Sequence, residues 1–185
     1  AAIPKPPTTA LAGVSKTMTP TQGWTTSGTK DQFVCYVLDP GNTQLTWVTG
    51  LQVRPGNDLV VHHAVITEVT KQEDITAIVA QRGIGQPWDC SASATPGDFV
   101  VNVWTPGNQP MQTPPELAIP LVANSKLVMQ IHYHPAGQTN DVDFTSVDLA
   151  YSNVWPRKMY FVAAIGNEFA APNLQPSPDE APGTA

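Results

Sequence analysis

All four histidines of the 185-residue chain fall in two short motifs, Val61-His62-His63-Ala64 and Ile131-His132-Tyr133-His134. Neutral imidazole nitrogen is a ligand for zinc and for copper, so residue type alone does not choose between these metals. Taken singly, each motif has a plain explanation. A His-His pair in a strand is commonly two solvated or hydrogen-bonded rings, and His-x-His on a polar strand face is commonly just a wet face. With no histidine elsewhere in the chain, the two motifs together point to one site of three or four imidazoles.

Such a site depends on which way the rings face. From Leu127 to His134 the sequence alternates cleanly, with Leu127, Met129, Ile131 and Tyr133 on one side of a strand and Val128, Gln130, His132 and His134 on the other. His132 and His134 therefore share a face. His62 and His63 are neighbours and would point to opposite faces of a regular strand. Both reach one metal only if that strand twists or bulges, or if the rings use suitable nitrogens.

The elements that carry these motifs read as strands. Apolar and β-branched runs at 32–38, 44–53, 59–69, 99–104, 126–134, 142–151 and 158–165 are cut by turn signals such as Asp39-Pro40-Gly41-Asn42, Pro55-Gly56-Asn57-Asp58 and Pro106-Gly107-Asn108. Short strands at this spacing predict an antiparallel sandwich or barrel. A single helix is expected over 70–82. Thr70 and Glu73 have capping-box spacing, Ile75, Ile78 and Val79 share a face, and Gly83 can end the last turn. Residues 1–29, rich in Thr, Pro and Gly, read as an extended arm, and the Pro-rich stretch 167–185 as a tail or linker.

Composition excludes several classes of function. Charged residues are 13% of the chain against about 25% in an ordinary soluble domain, and 19 prolines are about twice the usual share, which disfavours helices. The net charge is −6 without a Lys/Arg cluster to neutralise phosphates, so nucleic acid is not an expected partner. No apolar run approaches the roughly 18 residues of a membrane span, and no membrane partner is expected. The opening Ala1-Ala2-Ile3-Pro4 has no charged n-region or apolar h-region, as in an exported chain after signal cleavage or in a trimmed one. There is no paired-acid motif, G-x-S-x-G or P-loop, and the five tryptophans read as core or rim residues. Cys35 and Cys90 lack C-x-x-C spacing; a lone structural disulfide suits them, with two buried free thiols as the alternative.

The order of motifs is more specific than any one of them. Phe33-Val34-Cys35-Tyr36-Val37, Leu59-Val60-Val61-His62-His63, Pro87-Trp88-Asp89-Cys90, Trp104-Thr105-Pro106-Gly107, Leu127 to Pro135, and Phe161-Val162-Ala163-Ala164-Ile165-Gly166 follow one another along the chain. Over about residues 30–166 this series resembles the N-terminal copper domain of the copper type II, ascorbate-dependent monooxygenases, the dopamine beta-monooxygenase and peptidylglycine alpha-hydroxylating monooxygenase family. The resemblance implies an antiparallel β-sandwich of jelly-roll type, with His62, His63 and His132 holding one copper ion per chain. His134 is then a neighbour acting through a ligand at most. It also implies a disulfide between Cys35 and Cys90, and with it a secreted or periplasmic location.

By the same resemblance, the whole enzyme hydroxylates an aliphatic C–H bond with O2, ascorbate or another small reductant supplies electrons, and this domain stores one of them. A second copper domain, from the same gene or another, is the expected partner. The chain departs from the family pattern in having Ala64 where Met often follows the His pair, in holding only two cysteines, and in stopping before any second copper motif. Two rival readings stand beside this one. The chain could be a non-enzymatic module that binds or delivers copper, or a three-His zinc site whose general base the sequence does not reveal.

Overall fold

Alternating apolar and polar residues produce strands with one face to bury, and here two sheets bury those faces against each other. The structure, a computed structural model, describes residues 9–91, 96–135, 142–152 and 158–159. Along the chain run β1 (Lys16–Met18), β2 (Trp24–Thr25), β3 (Gln32–Leu38), β4 (Thr46–Arg54), β5 (Val61–Val69), α1 (Gln72–Arg82), β6 (Pro87–Asp89) and β7 (Phe99–Trp104). They are followed by β8 (Met111–Gln112), β9 (Leu117–Leu121), β10 (Lys126–Tyr133), β11 (Val142–Asp143), β12 (Ser146–Ser152) and β13 (Lys158–Met159). Among the described residues the fold is an all-β sandwich with one helix, the sandwich being one of the two architectures that the strand pattern predicts.

One sheet is antiparallel throughout, in the order β6-β3-β10-β5-β7. The other runs β1-β12-β4-β9-β13, with β8 on β4, and is antiparallel except for the parallel β9/β13 pair. The core lies between them. Val34, Tyr36 and Leu38 of β3, Ala64 and Ile66 of β5, and Leu127, Met129, Ile131 and Tyr133 of β10 meet Leu51 and Val53 of β4, Ile119 of β9 and Leu149 of β12. Burial of each large side chain contributes about 1.5–3 kcal/mol.

The remaining positions of β3 and β10 face outward, and at one end of the sheet α1 covers them. Ile75 is buried there with Cys35, Cys90, Val69 and Val128, and Ile78, Val79 and Trp88 pack around them. No helix among the described residues is long and apolar enough to cross a membrane.

Several details differ from the sequence reading. The helix begins at Gln72, two residues late, and its N-cap, Lys71, makes no side-chain cap. Thr70 instead donates from both its backbone N (2.8 Å) and its hydroxyl (2.6 Å) to Asp98 Oδ2, so a distant carboxylate outcompetes the capping box. The C-terminus is as expected: Gly83, at φ 72°, donates its N–H to the carbonyl of Val79. The run 142–151 is two strands. Asp143 accepts from the backbone N and hydroxyl of Thr145, which takes that turn out of the ladder.

The described part of the N-terminal arm lies along the domain, because β1 pairs with β12 and β2 with β11. The strands β6, β8 and β9 were not in the sequence reading. The expected strand over 158–165 is described only as far as Met159. The Phe161 to Gly166 motif and the tail 167–185 lie outside the described residues.

Candidate metal centre

The adjacent histidines reach one point because β5 is bulged at His62. In the β10/β5 ladder His132 stands opposite His63, and the next pair is Tyr133 with Val61, so His62 has no residue opposite it. The extra residue shifts the alternation. Val61 and Ala64, three positions apart, are both in the core, which a regular strand does not allow. His62 and His63, between them, both turn to the outward face, where the alternation of β10 also places His132.

The three rings then converge through one kind of atom. His63 Nδ1 lies 3.2 Å from His62 Nδ1 and 3.3 Å from His132 Nδ1, and the ligating atoms of all three residues fall within 4.8 Å of one another. Nitrogens bound to one ion at about 2.0–2.1 Å are separated by about 3.3–3.5 Å, so the two short separations fit a shared metal. Among the described residues, this is the group of His, Cys, Asp and Glu side chains with such a geometry. His62 is exposed, His63 partly buried, and the side chain of His132 is 12% exposed. Burial first, and then the neighbouring His132 and His62, hold the His63 imidazolium below its ordinary pKa. A neutral ring, the ligating form, therefore persists further into acid.

His132 is held from two sides by one short segment. Phe33, opposite it in the β3/β10 ladder, stacks on the ring with centroids 4.3 Å apart and planes within 7°. Asp31, two residues earlier, brings Oδ2 to 3.0 Å from His132 Nε2. The approach is close but off the line of a ring N–H, and Nε2 is buried without an aligned hydrogen bond. The other carboxylate oxygen, Oδ1, accepts a 2.7 Å hydrogen bond from His134 Nδ1. His134 and His132 hold the Asp31 carboxyl below the usual carboxylate range.

The structure thus brings together His62, His63 and His132 and places His134 outside the cluster, on Asp31. Cys35 and Cys90 are joined in a disulfide with Cα atoms 5.9 Å apart, inside the apolar cluster beneath α1. Gln130, two residues from His132 on the same outward face, reaches Cys90 Sγ at 3.6 Å. Asp31 is the residue that sequence reasoning missed. Its one local signal is the Asp31-x-Phe33 spacing, which puts both side chains on the same face of an extended segment. Compared with known proteins, the chain matches no family model and no curated protein.

Proposed function

We propose that this chain is the copper-binding, electron-storing domain of an ascorbate-dependent copper monooxygenase, with His62, His63 and His132 as the ligands of one copper ion. One observation carries the reading: three imidazoles from two neighbouring interior strands present Nδ1 to a common point. The order of sequence motifs supports copper and the monooxygenase family. A bound copper ion would supply one-electron chemistry, and three neutral imidazoles accept both of its common oxidation states.

The chain's own residues do the rest. The bulge at His62 and the register of β10 orient the rings, while Phe33 shields one face of His132 from water. Exposed His62 leaves the site open to a reductant or a partner. Inserting one oxygen atom of O2 into a C–H bond while the other becomes water takes two electrons per turnover. A one-electron store therefore needs a second copper domain or a further reductant. The disulfide belongs to an oxidising compartment, which supports a secreted or periplasmic location.

The test is to load the chain with copper, titrate it with ascorbate and reoxidise it. The expected result is one copper per chain, one electron per copper by electron paramagnetic resonance, and no hydroxylated product from amine or peptidyl-glycine substrates until a second copper domain is added. Multiple turnovers by the chain alone would overturn the electron-storing role, and preferential retention of zinc would overturn the metal. The exposure of His62 favours one second reading, a module that buffers or delivers copper. Rapid transfer of copper to an acceptor, without hydroxylation when the second domain is present, would select it.

A further inference from the structure

The Asp31 carboxylate touches two histidines and neither of the other two ligands, and this one-sided placement has chemical content. Asp31 precedes β3, whose first residue pairs with Tyr133, so the backbone fixes it beside the end of β10. An ionised carboxylate only accepts hydrogen bonds, so the proton of His132 is favoured on Nε2, facing Asp31, and the lone pair on Nδ1, facing His63. Turning the ring over about its Cβ–Cγ bond would exchange Nδ1 for Cδ2 and leave a C–H facing His63 in place of the lone pair. The Phe33 stack on one face and Asp31 at the far nitrogen oppose that turn together. His134, with its side chain 57% exposed, holds the second carboxylate oxygen and so keeps Asp31 in place.

We propose that Asp31 is a positioning residue that fixes His132 as an Nδ1 ligand and biases the site toward the oxidised ion, with His134 as its anchor. This rests on the reading that the three-histidine cluster holds copper. A carboxylate on the far nitrogen makes an imidazole more basic, and a more basic ligand favours the more highly charged ion. Cu(II) therefore gains more from Asp31 than Cu(I) does, and the reduction potential is lowered.

The experiment compares wild type, Asp31→Asn, Asp31→Glu and His134→Ala, each checked for folding by circular dichroism. Cu(II) and Cu(I) affinities are measured separately by competition, and the potential by redox titration. For Asp31→Asn the expected result is a roughly 10–100-fold loss in Cu(II) affinity and a smaller loss for Cu(I). Each tenfold difference between the two ions raises the potential by about 59 mV. Asp31→Glu, which restores the charge, should recover part of the shift, and His134→Ala should move it in the Asp31→Asn direction by less. An unchanged potential, or equal losses for both ions, in a folded Asp31→Asn protein that still binds copper would overturn the role of Asp31 and leave the ligand set standing. If Asp31→Asn does not fold, a wild-type potential in His134→Ala overturns it instead. Failure of the wild type to bind copper would overturn the underlying reading.

Discussion

The outward face of the five-stranded sheet is two surfaces built from the same strands. At one end Cys35, Val69 and Val128 lie under α1 with Ile75 and Cys90, closed from water. At the other, positions in the same alternation carry His63 and His132, joined by His62 through the bulge, and no helix of the described residues lies over them. β3, β5 and β10 run through both ends, so the difference lies in the residues, their cover and the single bulge of β5 at His62. The covered end supplies stiffness through apolar burial and a crosslink, and the open end uses that stiffness to hold three rings in place without spending sequence on packing.

The strongest way to break this division of labour is at the covered end. Replacing both Cys35 and Cys90 by Ala should cost about 4 kcal/mol of stability, given the 55-residue separation of the crosslinked positions. Denaturant unfolding reads that loss, and copper affinity of the still-folded fraction should stay within a few fold. Loss of copper binding in folded protein would show that the two ends are one cooperative unit. Thiol labelling of unreduced, denatured wild type should find no free cysteine.

The converse change belongs at the open end. His132→Ala should weaken copper binding at least about a hundredfold, or about 2.7 kcal/mol, while moving the unfolding midpoint much less. His134→Ala should weaken binding far less, because His134 hydrogen-bonds Asp31 and lies outside the group of three converging rings. Equal losses in the two variants would remove His132 from the ligand set.

The smallest effect sharpens the contrast. In metal-free protein the folded pKa of His63 is lowered, so the stability it contributes is present above its ordinary value of 6.5 and is lost as pH falls through the folded value. The unfolded chain takes up the proton first. Because the ring is only half-buried, the change from pH 7 to pH 5 should stay below about 1 kcal/mol. His63→Gln should flatten it in a urea series, whereas an undiminished slope in that variant would assign the pH dependence to other groups.

What could be read in advance divides along a similar line. The place of His132 was legible, since eight residues of clean alternation need no knowledge of any partner strand. The convergence of His62 and His63 was not, because a bulge is a mismatch in length between two strands and is invisible in either one alone. Asp31 stands 101 positions from His132, and nothing local tells a carboxylate which histidine it will meet. Thr70 failed as a cap for the same reason: its competitor, Asp98, is 28 residues away. The strands that could be read are the long ones with a two-residue period, while β8 and β11, two residues each, have no room for a pattern.

β10 is bonded on both sides, to β3 and to β5, so the amide of His132 sits where hydrogen exchange requires opening of the sheet itself. Arrival of an ion therefore has little backbone left to quiet. Loading should leave exchange across β3 and β10 almost unaltered and register chiefly at His62, the residue with no neighbour opposite. Among the described residues, uptake is then a matter of side-chain rotation, which takes nanoseconds or less at exposed positions. For the β3, β5 and β10 frame, the rate at which metal enters or leaves would then be set by whatever carries it to the protein.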